Sequence, residues 1–216
     1  FDARLVSVSS ALDDAYNLDA GPAIMVEVAD NTGGGAPGDA TPVLKSLLER
    51  RFAGSVIVIW DPLAVEEAFS IGIGGSFDGL VGGKTDNLHG SPVHVSGEIV
   101  YRGNVNYKRT GNYMSGQKVS LGNVVVIQSN GVCIVLTTEK AMPFDNDHLR
   151  VLGIQPERQR LIVVKSAIAW RPHFRPFSFR EYYLDTKGIT ASNLSVFSYQ
   201  NQRMPIYPID EVATWG

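Results

Sequence analysis

The segment Asp30-Asn31-Thr32-Gly33-Gly34-Gly35-Ala36-Pro37-Gly38-Asp39 separates an apolar strand from a helix start, and its reading sets the class of the fold. Before it, Ala23 to Ala29 (AIMVEVA) is apolar and β-branched enough to form a buried strand. After it, Thr41-Pro42 puts a hydroxyl N-cap ahead of a proline at the first helical position. This opens an amphipathic helix to Phe52, with Val43, Leu44, Leu47 and Leu48 on one face. Glycines between the two let the main chain approach a ligand closely, and the N–H groups of such a loop can converge on an anion. Loops at the C-terminal ends of strands in open α/β sheets are where ligands bind, so the segment reads as a binding loop.

Outward from the loop, Ser9 to Leu18 reads as a short helix, Ser55 to Trp60 as a second strand, and Asp61-Pro62 as a capped helix start running to about Ser70. Alternating strand and helix implies parallel pairing with right-handed crossovers. Beyond Gly72 the glycines cluster and the chain becomes β-rich. Val93 to Tyr101, Val119 to Gln128 and Val132 to Thr138 read as strands, the last two joined by an Asn130-Gly131 turn. Asp145 to Leu152 reads as a short polar helix ended by Gly153, with His148 in solvent, and Arg160 to Lys165 as a buried strand. A proline-broken aromatic segment, Trp170 to Phe179, precedes a strand at Glu181 to Asp185, and Met204 to Asp210 reads as an extended arm. The expectation is a mixed α/β fold: one domain over residues 1–216, with a βαβα part over about 1–72 and a β-rich part with short helices over about 73–216.

Charge and composition exclude several classes. The chain has 19 basic and 22 acidic residues, a net charge of −3, and so no basic footprint for nucleic acid. Mean hydropathy is −0.01, and no run approaches the roughly 18 apolar residues that a membrane span requires. The single cysteine, Cys133, lies inside the apolar run Val132 to Leu136. It reads as a small buried hydrophobe, and a chain without an internal disulfide suggests a reducing, cytoplasmic compartment. The chain opens Phe1-Asp2-Ala3-Arg4 with neither methionine nor a signal-peptide pattern, and reads as a piece of something longer.

Several motifs compete for the loop. Gly33-x-Gly35-x-x-Gly38 satisfies the dinucleotide fingerprint, and Asp61 closes the next strand where a ribose-binding acid belongs. Against it, Pro42 starts the helix several residues after the third glycine, and Asp39 puts negative charge where pyrophosphate would sit. The P-loop spacing is present too, but Asp39 and Ala40 stand where lysine and hydroxyl belong. His89, His94, His148 and His173 make no metal-site spacing, so no metal is expected in this chain. A Ser166-His173-Asp30 triad can be written on paper, but there is no nucleophile elbow.

Two polar clusters remain. Lys84-Thr85-Asp86-Asn87-Leu88-His89-Gly90 follows Gly82-Gly83, placing a lysine and a histidine on a glycine-hinged loop that can fold over a ligand. Lys165-Ser166 ends an apolar strand, and Arg171, His173 and Arg175 follow among aromatics, where arginine can bind carboxylates or simply stack.

In order, VADNTGGGAPGD, WDP with its helix, GGKTDNLHGSP, and VVKS followed by HFRP resemble the C-terminal domain of microcystinase C-like (MlrC-like) metallopeptidases, over roughly residues 5 to 210. The resemblance implies the substrate-side domain of a zinc-dependent hydrolase acting on peptide amides. It also implies that the zinc ligands lie in an N-terminal domain absent from this chain, the partner it would work with. On that reading the glycine loop, Lys84, His89, Lys165, Ser166, His173 and Arg175 converge on the edge facing the missing domain. Gly33, Gly34, Gly35 and Gly38 would offer N–H groups to substrate or oxyanion. Lys84, His89 and Arg175 would hold carboxylate or carbonyl groups, Asn31 would line the loop, and Asp30 and Asp39 would order it and cap the helix. Lys84, His89 and His173 are the candidates for catalysis. The alternatives are a stand-alone dinucleotide- or small-anion-binding module, and a structural or assembly domain.

Overall fold

The computed structural model describes residues 4–201, 205, 207, 209 and 210. An N-terminal helix α1 (Val8–Tyr16), capped by the Ser7 hydroxyl, leads to β1 (Ala23–Val26). The glycine-rich segment then delivers the chain to α2 (Pro42–Arg50), followed by β2 (Ser55–Trp60) and α3 (Pro62–Ile71). Next come β3 (Ser76–Val81), β4 (Val93–Lys108), β5 (Lys118–Ser129) and β6 (Val132–Thr137). The helical turn α4 (Asp147–Arg150), β7 (Leu161–Val164), the turn α5 (Arg171–Phe174) and β8 (Arg180–Tyr183) complete the fold.

The strands form one eight-stranded sheet in the order β3-β4-β5-β6-β2-β7-β1-β8. From β6 to β8 all neighbours are parallel, and β3, β4 and β5 add an antiparallel wing. β1 and β2 are thus not neighbours, as the strand-helix-strand reading suggests, because β7 lies between them. Its sequence explains the position: LIVV is buried at all four residues, as a central strand covered on both faces must be. The βαβα part and the β-rich part therefore share one sheet.

Period-two alternation sorts the central strands between two cores. Ala23 and Met25, Ile57 and Ile59, Ile134 and Leu136, and Leu161 and Val163 pack on the face covered by α1, α2 and α3. Ile24 and Val26, Val56, Cys133 and Val135, and Ile162 and Val164 pack on the other, against Leu149, Trp170 and Phe174. β4 runs on to Lys108 where the sequence reading stops at Tyr101, and it serves both cores: Val95 and Ile99 join the first and Val105 the second. Register shifts at Ile99/Tyr101 and Val105/Asn106 bend it between them. Cys133 is buried, as its apolar run implies. The Met204 to Asp210 arm lies largely outside the described residues. Among the described residues no helix is long and apolar enough to cross a membrane.

Candidate functional site

β1 ends at Val26 rather than Ala29, and the chain then makes two 3-10 turns, Val28–Asp30 and Thr32–Gly34. The Asn31 carboxamide oxygen caps the second by accepting from Gly33 N at 3.1 Å. Asp30 organises the rest: its Oδ1 accepts from Gly38 N at 2.7 Å and its Oδ2 from Ala40 N at 2.8 Å. Gly38 sits at φ +84°, and a Cβ there would stand 2.7 Å from Thr32 Cγ2, so only glycine closes this turn without displacing its neighbour. Gly34 N and Gly35 N bond back to Asn31 O and Thr32 O. The N–H groups of all four loop glycines are therefore spent inside the loop. The sequence reading offers them to substrate, but the loop satisfies its own donors, as a buried strand end requires.

The carboxylates are largely committed too, with Glu27 Oε1 and Asp39 Oδ1 left buried without a partner among the described residues. Lys165 Nζ, at the end of β7, donates to Asp30 Oδ2 at 2.8 Å, Glu27 Oε2 at 2.6 Å and Ala40 O at 3.2 Å. Burial alone would push the lysine pKa down; the charges and hydrogen bonds of Asp30 and Glu27 reverse this, and the net displacement is upward. Glu27 is raised, first by burial, with Lys165 opposing and Asp30 reinforcing. Asp39 Oδ2 accepts from Lys84 N, Thr85 N and Thr85 Oγ1. Asp61 caps α3 through Ala64 N at 3.0 Å and also holds Gly82 N and Lys84 Nζ, at 2.7 Å and 2.8 Å. A ribose hydroxyl or a pyrophosphate would find these groups already occupied, which removes the basis of the dinucleotide reading.

The Lys84 to Gly90 loop is not free to fold over a ligand. Lys84 is tied to Asp61 and Leu80 O, and His89 is fully buried, its Nδ1 2.9 Å from both Asp86 oxygens. His89 Nε2 receives Ile189 N at 3.4 Å and lies 3.8 Å from Asp30 Oδ1. Thr41 occupies the N-cap of α2, but its hydroxyl donates to Ser91 O at 2.7 Å and caps nothing; neither Asp30 nor Asp39 caps α2 in its place. Loop 82–91 needs this anchor more than the proline-started helix needs a cap.

The structure thus joins Asp30, Asp39, Lys84, His89 and Lys165 with Gly38 in one interlocked set. His173 and Arg175 stand outside it. His173 Nε2 accepts from Asn112 N at 3.1 Å, and exposed Arg175 makes a two-pronged pair with Glu181 at 2.6 and 2.9 Å. The paper triad fails on these partners: Asp30 serves Lys165, and His173 serves the β4–β5 tip.

On the outer side of the glycine loop lies a cleft of ≈ 430 Å³. Asn31, Gly33 and Ser166 form its polar side, and Tyr113, Phe144 and Ile168 its apolar walls. Tyr113 stands edge-on to Phe144, centroids 5.1 Å apart, while the Arg109 guanidinium packs over the Phe144 ring at 4.9 Å. Arg109 is buried and bonds Asp145 at 2.8 Å, pinning the β4–β5 tip to the 142–147 segment. His148, expected in solvent, is buried beside Phe174, and burial pushes its pKa down to about 4 despite Asp145. Sequence reasoning missed Arg109, Asp145, Tyr113 and Phe144, since only the β4–β5 pairing brings them together. Glu27 did leave a signal: a charge inside an apolar strand demands a buried partner.

Among the described residues no three His, Cys, Asp or Glu side chains are grouped to hold a metal ion. The donor chemistry agrees, because the clustered acids already serve lysine, histidine and backbone N–H groups. Among the described residues, therefore, no cluster of donors is left to fit a resident metal.

The profile of the family described as MlrC C-terminus matches residues 25–201. The chain belongs to this family. Microcystinase C from Sphingomonas sp. is 31% identical over 207 residues, covering 95% of this chain and 39% of the relative. A crystal structure from Mesorhizobium sp. BNC1, described as a candidate metallopeptidase, superposes with a TM-score of 0.86 at 25% identity, covering 100% of this chain and 43% of that one. The MlrC C-terminal chain thus spans less than half the length of both relatives, and a further domain is present in the full-length ones.

Proposed function

We propose that this MlrC C-terminal domain is the substrate-side part of a zinc-dependent peptidase or amide hydrolase resembling microcystinase C, with zinc held by an N-terminal metallopeptidase domain. The observation that carries the reading is the glycine-loop edge. Loops after β1, β2, β6, β7 and β8 lie together at this edge, and the cleft opens between the loops after β1, β6 and β7 and the β4–β5 tip, at the end of the sheet where α/β folds take ligands. The clustered charges are paired internally, so this part shapes and positions while a metal elsewhere activates water. Asp30, Asp39, Lys84, His89 and Lys165 hold the loop edge in place; Asn31, Gly33 and Ser166 meet the substrate. Gly34 and Gly35 form the exposed rim. A cytoplasmic setting accords with the single unpaired cysteine.

The test is a full-length protein carrying this domain, assayed on linear peptides. Cleavage abolished by a zinc chelator and restored by zinc, with KM raised by Asn31→Ala, is expected. No amide cleavage, or cleavage indifferent to chelation, contradicts the proposal.

A further inference from the structure

Within this face, unspent polar groups gather at the cleft. Ser166 is only 1% exposed, and its hydroxyl makes no hydrogen bond among the described residues. An unpaired hydroxyl at the cleft is free to bond a ligand or water. Asn31 lines the same cleft and spends its carboxamide oxygen on Gly33 N, while its Nδ2 makes no hydrogen bond among the described residues. A Cβ on Gly33 would meet Phe144 Cε1 at 3.0 Å, so glycine there lets the ring lie back and keeps the cleft open.

Opposite these groups the walls are aromatic and aliphatic. Tyr113 is 52% exposed and Ile168 64% exposed, so neither is held there by the core of this chain. The tip carrying Tyr113 is fastened twice, by Arg109 to Asp145 and by Asn112 N to His173 Nε2. His173 acts here as a positioning residue for the wall. A concave cleft of this volume, apolar with two or three polar groups on one side, has the composition of a small-ligand site.

We infer that the cleft is a subsite for an apolar, preferentially aromatic, side chain of a peptide, with Asn31 Nδ2 and Ser166 Oγ meeting the adjoining amide. This rests on the reading of the domain as the substrate side of an amide hydrolase. The amide carbonyl accepts from Asn31 Nδ2, and the Ser166 hydroxyl can donate to a carbonyl or accept an amide N–H. An aromatic side chain packs against Tyr113 and Phe144 in offset or edge-to-face geometry.

N-acetyl-L-phenylalaninamide carries this chemistry and serves as the probe, titrated into the isotope-labelled chain by NMR. Saturable shifts confined to residues 31–33, 113, 144 and 166–168 are expected, with none from N-acetylglycinamide. Tyr113→Ala should weaken binding about tenfold, as loss of a large apolar contact does, and Ser166→Ala about three- to tenfold. Ile168→Ala, at an exposed position, provides a second wall variant that folds regardless.

Absent or scattered shifts, or unchanged affinity in the wall variants, overturn the inference. So does hydrogen-exchange protection of 166–169 in the ligand-free full-length protein, since the neighbouring domain would then fill the cleft. If the probe binds as described but the full-length protein cleaves no amide, the subsite stands and the proposed function falls. If peptides are cleaved with equal kcat/KM for alanine and phenylalanine side chains, the function stands and the subsite falls.

Discussion

Lys165 and Ser166 are consecutive and both buried, yet they belong to opposite kinds of site. Lys165 turns inward and meets three acceptors from Glu27, Asp30 and Ala40. Ser166 borders the cleft and meets none among the described residues. The contrast extends to their surroundings: the network around Lys165, Asp30 and His89 pairs its charges internally, leaving only Glu27 Oε1 and Asp39 Oδ1 of its described carboxylate oxygens buried without a partner, whereas the cleft around Ser166, Asn31 and Tyr113 keeps polar groups in reserve at an open surface. A cluster of charged residues at a strand end therefore marks architecture when its members satisfy one another. Capacity for a ligand lies with the neighbours that remain unspent.

The sharpest way to break this contrast is Lys165→Met. Removing the ammonium leaves Glu27 and Asp30 buried without their cation, and loss of one partner from such a set costs about 3–5 kcal/mol. Urea unfolding should show that loss; a cost below about 1 kcal/mol would mean that the network does not hold the edge. Ser166→Ala, one residue on, should leave the unfolding midpoint in place while weakening the probe.

His148 gives a smaller, pH-dependent effect. Its pKa falls from an ordinary 6.5 to about 4 because burial disfavours the imidazolium. Below pH 6.5 the unfolded chain binds a proton that the folded one refuses. The stability contribution is therefore complete above that pH and is lost as the pH falls towards 4, by at most about 3 kcal/mol. His148→Gln should flatten the fall in unfolding free energy across this window, and an unchanged slope would mean that the ring is accessible. The smallest effect is expected from Arg175→Ala: its pair with Glu181 is exposed and screened, so no measurable change in melting temperature should follow.

Much of the scaffold was legible because burial follows local pattern. The alternation in AIMVEVA, SVIVIW and VCIVLT allots side chains to two faces, and Asp61-Pro62 starts and caps α3 as read. The insertion of β7 between β1 and β2 was not, because four apolar residues carry no signal for which strands they join. At the site, the sequence exposes residue types but not their partners. Lys84, His89 and Lys165 look like free ligand-binding groups until tertiary structure supplies Asp61, Asp86 and Glu27. Tyr113 and Phe144 were invisible for the converse reason, being separated in sequence and joined only through the β4–β5 tip.

In the proposed division of labour this chain holds and shapes, and a metal carried elsewhere does the chemistry. Metal content and peptide cleavage of the purified 216-residue chain, assayed with added zinc, test it most directly. No stoichiometric metal and no amide cleavage are predicted. A bound divalent ion at one per chain, together with chelator-sensitive cleavage by this chain alone, would contradict it.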